Sequence, residues 1–472
     1  VRGRLLLEPS EALDVNIAAF YSDIDNGYDA FALDNSYTML SDKPGRDAQE
    51  SVGLSVRFDW YGLESVTLTS ITAFADSDIE FSFDADWGND DSWAPFVYDY
   101  ISLSDRERRT LSQEFRLASD TGGNVDWLAG VYALRLEDGL GTLNQGEYFD
   151  PFFNFADSLD DRFDSDYEAT NLAVFGQVDI ALGAATRLSG GLRVERRTTD
   201  YRDSTGLTTG PSETMTGGEL SLSHDHSESL TSFVSLSRGF KAGGFNLGLV
   251  PDDRREFGSE ALWNLEAGIK STFLDDALAV NASVFASRRD DQQVRSSFQL
   301  VPGDPTTFIF VTDNAARGGT LGAEADLRWL PNDVWELYFS AGLLDATFDR
   351  YEAPQGDLSG RDQAHAPSYT LAAGAAWRHP SGFFARVDAT ARDAFYFDVS
   401  HDQESEAYEL VNARLGFDAG TWTAQLFVRN LFDTRYAVRG FFFGNEPPDF
   451  PNTLYTRLGD PRQLGVTFEA RF

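Results

Sequence analysis

The last nine residues, Leu464-Gly465-Val466-Thr467-Phe468-Glu469-Ala470-Arg471-Phe472, decide how the rest of the chain is read. Leu464, Val466, Phe468, Ala470 and Phe472 share one parity; Gly465, Thr467, Glu469 and Arg471 share the other. Successive side chains of an extended strand point to opposite faces, so this stretch is a strand with one apolar and one polar face. The pattern returns in 52–60, where Val52, Leu54, Val56, Phe58 and Trp60 oppose Gly53, Ser55, Arg57 and Asp59. It returns again in 322–329, with Ala323, Ala325, Leu327 and Trp329 against Gly322, Glu324, Asp326 and Arg328. In 421–429, Trp422, Ala424, Leu426 and Val428 oppose Thr421, Thr423, Gln425 and Arg429. Helical spacing is not sustained over comparable lengths. The chain reads as all-β.

Connection lengths then choose the architecture. About 19 strands are legible, joined by short and long connections in strict alternation. The short ones fall around Pro9–Glu11, Trp60–Leu63, Asp120–Gly123, Gly183–Ala184, His224–Ser227, Asp275–Asp276, Pro331–Asp333, His379–Gly382 and Ala419–Gly420. The long ones fall at roughly 24–47, 81–101, 139–166, 203–211, 241–260, 290–315, 351–365, 397–407 and 431–461. A propeller or repeat array would show a constant period instead. Short turns at one rim and long loops at the other predict a transmembrane antiparallel up-and-down β-barrel with its short turns in the periplasm. Trp60, Trp127, Trp329, Trp335, Trp377 and Trp422 all lie near short turns on the apolar parity, as an interfacial aromatic girdle requires. An Arg or Lys on the lipid face near the midplane costs roughly 2–4 kcal/mol, which drives charges to the lumen parity. This many strands enclose a wide polar interior.

Composition excludes several functions. The 472 residues carry 76 Asp+Glu against 38 Lys+Arg, a net charge of −38 that repels nucleic-acid phosphate. With no Cys there is no disulfide, cysteine zinc site or thiol chemistry. No apolar run is long enough for a transmembrane helix. A hydrophobic content of 42% is far above that of disordered chains. Nothing near Val1 reads as a signal peptide. If the final strand runs down into the periplasm, the first of about 19 also runs down, whereas such barrels begin with an upward strand and have an even count. The expectation is an N-terminally truncated barrel over 1–472.

Two motifs carry a family resemblance. Ser237-Arg238-Gly239-Phe240-Lys241-Ala242-Gly243-Gly244-Phe245-Asn246 resembles a strand-end motif of TonB-dependent receptors. Asn430-Leu431-Phe432-Asp433-Thr434-Arg435-Tyr436 resembles their penultimate-strand motif, and Gly465–Phe472 their C-terminal signal for barrel assembly. Gly322-Ala323-Glu324 is a weaker match. The resemblance implies a barrel of 22 strands, so three strands, a plug and a TonB-binding box lie outside this sequence. It also implies a receptor in the outer membrane of a Gram-negative bacterium, embedded in lipid and lipopolysaccharide. Its function would be TonB-energised uptake of a scarce siderophore, vitamin, carbohydrate or other small molecule. The alternative is a passive porin-type channel; a surface adhesin or enzyme seated in the loops is a third class.

The long loops are acidic and aromatic. Trp87, Trp93 and Tyr98 in one, Phe152 and Phe153 in another, and Phe441 and Phe442 in a third are candidate ligand contacts, since flat rings stack on planar groups or sugars. Equally, such loops bury their rings in a mini-core of their own. Arg238 and Lys241 are expected to face the lumen or plug. A negative mouth disfavours anionic ligands and favours neutral or cationic ones. Asp157, Asp160, Asp161, Asp164 and Asp166 offer oxygen ligands but lack the ordered spacing of a calcium loop. His224-Asp225-His226 is half of a metal site at most, and reads as a solvated turn. Gly239, Gly243 and Gly244 lack the strand–loop–helix context of a phosphate loop. No nucleophile–base–orienter grouping is visible, and neither a catalytic site, a metal nor a cofactor is expected.

Overall fold

In the computed structural model, residues 1–28, 31–119, 122–248, 250–301, 304–353 and 356–471 are described, with backbone alone at 305 and 315. Phe472, the terminal residue of the predicted assembly signal, and part of the predicted turn Asp120–Gly123 lie outside them. Among the described residues, one antiparallel sheet of 21 strands forms the wall; two members, Thr208–Thr209 and Gly356–Asp357, are short hooks on loops, leaving nineteen. These nineteen run as a meander, each paired with its neighbours in sequence. The predicted architecture and strand number both hold. Among the described residues, Arg2–Ser10 pairs only with Leu13–Tyr28, and Gln463–Ala470 only with Trp422–Arg429.

Register shows why parity matters. Val466 lies opposite Leu426, Leu426 opposite Leu415, Leu415 opposite Ala385, Ala385 opposite Trp377, and Trp377 opposite Trp335. Six strands thus contribute to one apolar row. Val466 is 72% exposed and Leu426 59%. In a water-soluble protein, so many large apolar groups left bare would be an aggregation surface; in a bilayer they face their own solvent. The opposite parity carries charge, and much of it is paired: Arg57 with Asp59 at 2.6 Å, Arg193 with Glu195 at 2.8 Å, Arg386 with Asp388 at 2.7 Å. These pairs are two residues apart on one strand, the closest same-face spacing that a strand allows.

The short turns sit where the sequence puts them, within a few residues. Gly382 and Gly420 take left-handed φ values of 96° and 83°, which glycine adopts without a side-chain clash. The other rim departs from expectation. The stretch 139–166, read as a loop, is instead the upper half of a hairpin made by Val125–Asp150 and Phe155–Ala181, strands of 26 and 27 residues. About ten residues cross a bilayer, so most of this excess projects on the long-loop side. Alternation there is masked because both faces meet water. The same extension places Asp157, Asp160, Asp161, Asp164 and Asp166 on a strand that turns them to two faces, which explains why they do not converge.

The lipid-facing row gives a prediction. Leu426→Arg destabilises the protein in lipid vesicles by about 2–4 kcal/mol, whereas Gln425→Arg, facing the bore, costs about 1 kcal/mol or less. Equilibrium unfolding of both variants from vesicles measures the difference.

Candidate ligand-binding site

Three loops meet above the bore and build a cap. The first spans 31–44. The second spans 85–96 and holds a short helix, Asp90–Trp93, whose N-terminus is capped by Asn89: its side chain accepts from the Asp91 and Ser92 amides at 3.1 and 3.0 Å. The third, after Arg429, carries the hairpin Ala437–Gly444 and Asn452–Leu458. Asparagines fasten them. The Asn35 side chain accepts from the Thr456 amide at 2.6 Å and donates to the Leu454 carbonyl at 3.1 Å. Asn445, fully buried, accepts from the Tyr98 hydroxyl at 2.8 Å and donates to the Asp86 carbonyl at 2.7 Å. Loops far apart in sequence, leaving Leu13–Tyr28, Val66–Asp84 and Trp422–Arg429, therefore meet across the rim.

One of the two motifs closes this cap, and the other ties down a separate loop. Asn430 holds φ at 48° and closes the base of the third loop through Thr434 and the Asp460 carbonyl, 2.9 and 3.1 Å away. The Asn246 side chain bonds both the Thr312 amide and carbonyl, at 2.8 and 2.9 Å, tying its loop to a distant strand. A Cβ on Gly244 would lie 2.8 Å from the Phe257 ring, so the glycine answers a close packing need. Arg238 corrects the sequence reading. It shares parity with Val234 and Leu236, which face lipid, and so it points outward, 5.9 Å from the Trp263 ring and bonded to Thr216. Lys241, on the opposite parity, stands across from Glu260 in the register.

Beneath the cap lies a cavity of about 470 Å³. Its wall includes Trp87, Tyr98, Tyr100, Phe308, Phe310, Phe441 and Phe443, with Asn144, Asp161 and Arg439 among its polar groups. Trp87 is the hub: Tyr455 lies edge-on at 4.7 Å, Phe31 at 5.3 Å and Phe443 at 5.4 Å. Such ring pairs contribute roughly 0.5–1.5 kcal/mol each beyond the area they bury. Trp87 holds φ at 62°, an uncommon left-handed setting for a bulky residue that this packing maintains.

Of the nine candidate residues, the structure gathers Trp87, Tyr98 and Phe441 at the cavity and leaves the rest elsewhere. Trp93 is buried behind Tyr98, 5.5 Å away. Phe442 turns toward His401 at 5.0 Å. Phe152 and Phe153 stand 72% and 81% exposed at the tip of the long hairpin. Residues missed from the sequence include Phe31, Phe308, Phe310 and Arg439. The same-parity pair Phe308 and Phe310 was a legible signal, echoing Phe441 and Phe443.

Asp86 organises the second loop. Its carboxylate accepts from Trp93 Nε1 at 2.8 Å, the Gly88 amide at 3.0 Å and the Tyr100 amide at 3.0 Å. Burial, together with the neighbouring charge of Asp84, pushes the Asp86 carboxyl up to about 7 against the lowering pull of the Tyr100 amide. Asp84 is itself buried, and one of its oxygens accepts from Ser41 Oγ at 2.7 Å. No group of three or more His, Cys, Asp or Glu placed to hold a metal ion occurs among the described residues. His224 and His226 sit at the end of a strand, 4.7 Å apart, each hydrogen-bonded to a hydroxyl, Thr186 and Ser232.

A family model described as TonB dependent receptor-like, beta-barrel matches residues 11–431. Among solved structures, the ferric yersiniabactin uptake receptor FyuA from Yersinia pestis aligns with a TM-score of 0.79 at 17% identity, covering 100% of this chain and 70% of its own. The siderophore receptor PiuA from Acinetobacter baumannii aligns with a TM-score of 0.73 at 15% identity, over 99% of this chain and 73% of its own. The copper transporter OprC gives 0.71 at 14% identity, over 100% and 71%. At these identities the likeness is one of fold.

The Asp86 carboxyl makes the cap pH-dependent. Its folded-state value is raised, so between the ordinary carboxylate range near 4 and about 7 a closed cap holds a proton that an open one releases. Cap stability is greatest below that window, falls as pH rises through it, and is level above it. Hydrogen exchange at the Tyr100 amide and the Trp93 indole is expected to quicken, relative to the bulk chemical rate, from pH 5 to pH 8. Asp86→Asn is expected to flatten that dependence.

Proposed function

Since the chain belongs to the TonB-dependent receptor-like β-barrel family, we propose that it forms the wall of an outer-membrane importer for a scarce small organic ligand. Residues 1–472 supply the barrel; strands beyond this sequence complete the ring and a plug fills it. The ligand enters from outside, settles under the three-loop cap, and passes inward when TonB, drawing on the inner-membrane proton gradient, acts on the plug. The cavity carries this reading: about 470 Å³ of space at the loop rim, walled by aromatic rings and held by buried hydrogen bonds between distant loops. Its size matches small-molecule sites, which are concave, largely apolar and supplied with a few fixed polar groups. The solved structures of similar fold include uptake receptors for siderophore-type ligands and a copper transporter, none of them enzymes, which supports uptake over chemistry.

Uptake of a radiolabelled panel of aromatic acids, sugars and ferric chelates by cells making the full-length protein tests the proposal. At least one compound is expected to accumulate, to do so only with TonB present, and to bind about tenfold or more weakly once Phe441→Ala removes a cavity ring. Accumulation that persists without TonB would contradict it.

A further inference from the structure

The hairpin Ala437–Gly444 and Asn452–Leu458 is held to the rim by a second seam, and histidines sit in it. Loop 393–407 joins Phe383–Arg392 to Tyr408–Asp418 and buries Phe395, Phe397 and Val399. A Cβ on Gly440 of the hairpin would lie 2.6 Å from the Phe397 ring, so hairpin and loop are in close contact. Phe442 of the hairpin meets the His401 ring at 5.0 Å. Arg361 clasps the loop from its other side. Its guanidinium donates to the Asp398 and Val399 carbonyls at 3.1 and 3.2 Å and to the His401 carbonyl, and it lies over the Tyr396 ring at 4.1 Å. The His365 amide donates to the Tyr396 carbonyl at 2.9 Å, and its ring lies 5.2 Å from that of Phe395.

This packing suits neutral imidazoles. Nδ1 of His401 accepts from the Gln403 amide at 3.2 Å and so closes a turn inside the loop. A ring nitrogen accepts only while it has a lone pair, and an imidazolium offers two donors and none. Protonation at Nδ1 therefore sets one N–H against another and opens the turn. Neighbouring charges give little relief. His401 faces Asp398, Arg361 and Asp402, and His365 faces Asp398, Arg439 and Arg392. Asp398 is the carboxylate that both rings share, yet its oxygens already accept from Ser297 Oγ and from the amide and hydroxyl of Ser400, at 3.3, 2.9 and 3.0 Å. Asp402 is paired with Arg361 at 3.3 Å. Burial holds both rings below the ordinary histidine value near 6.5, against the opposite pull of Asp398.

We propose that this seam is an acid-released latch: when the solution at the rim turns acidic, His365 and His401 take up protons, and the cap hairpin parts from loop 393–407. The closed seam binds fewer protons than the open one. Its stability is therefore level above the ordinary histidine range, falls as pH drops through that range, and levels again below the lowered values. Asp86 works in the opposite sense, since its side of the cap is tightest in acid. The hairpin is thus let go along one edge while Asn445 and Tyr98 hold the other, and pH chooses the side on which the rim opens.

Hydrogen exchange of the full-length protein in lipid nanodiscs, read by mass spectrometry over 395–405 and corrected for the chemical rate, tests this. Protection in that stretch is expected to fall at least about tenfold from pH 7.5 to pH 5, while protection at the Tyr100 amide rises. The variant His365→Asn/His401→Asn is expected to stay protected at both pH values. Asparagine accepts from an amide two residues on, as Nδ1 of His401 does, tolerates the left-handed φ of 58° at 365, and does not titrate. His379→Asn, in a short turn at the opposite rim, is expected to leave the dependence in place. Equal protection of 395–405 at both pH values in the parent protein, or a loss that persists in the double variant, would overturn the latch. Should the double variant already be open at pH 7.5, the two single variants carry the comparison, and an undiminished pH dependence in both would overturn it as well.

Discussion

Everything in this molecule follows from a backbone that cannot leave an amide or carbonyl unpaired in hydrocarbon. An antiparallel meander meets that demand by bonding each strand to its neighbours, and its pleat then divides the side chains between two solvents. The row from Val466 through Leu426 and Leu415 to Trp377 and Trp335 is the outer solvent's share. Pairs such as Arg57 with Asp59 and Arg386 with Asp388 are the inner solvent's share. Register and side-chain chemistry are therefore one choice: a slip of a single residue would exchange the two faces along the whole strand.

That coupling explains what could be read from the sequence. Where strands cross the membrane, the two faces differ sharply, and nineteen strands with nearly all their short turns were legible from parity alone. The hairpin Val125–Asp150 and Phe155–Ala181 was not, because its upper half has water on both sides and nothing enforces alternation there. Arg238 misled for a related reason: a guanidinium normally marks the bore, yet at the level of Trp263 its long stem lies along an outward face while its head reaches Thr216. The loop aromatics were legible as a group. Which of them would meet was not, since Trp87 and Tyr455 are joined only by loops folded over one another.

The cap shows how a rim of loops encloses a cavity. The half-buried Asn35 and the fully buried Asn445 fix loops 31–44 and 85–96 to the final hairpin through paired hydrogen bonds. Aromatic packing around Trp87 fills the space behind them. What remains is a cavity walled by aromatic rings, with Asn144, Asp161 and Arg439 among its polar groups.

The two-solvent account is tested most directly by attaching a nitroxide to single cysteines at 423–428 and 464–469 in lipid bilayers, a scan made clean by a chain with no native Cys. The account predicts a period of two: labels at Val466→Cys and Leu426→Cys relaxed by lipid-soluble oxygen, and those at Thr467→Cys and Gln425→Cys relaxed by a water-soluble nickel chelate. Equal access of the aqueous reagent to both parities would contradict it.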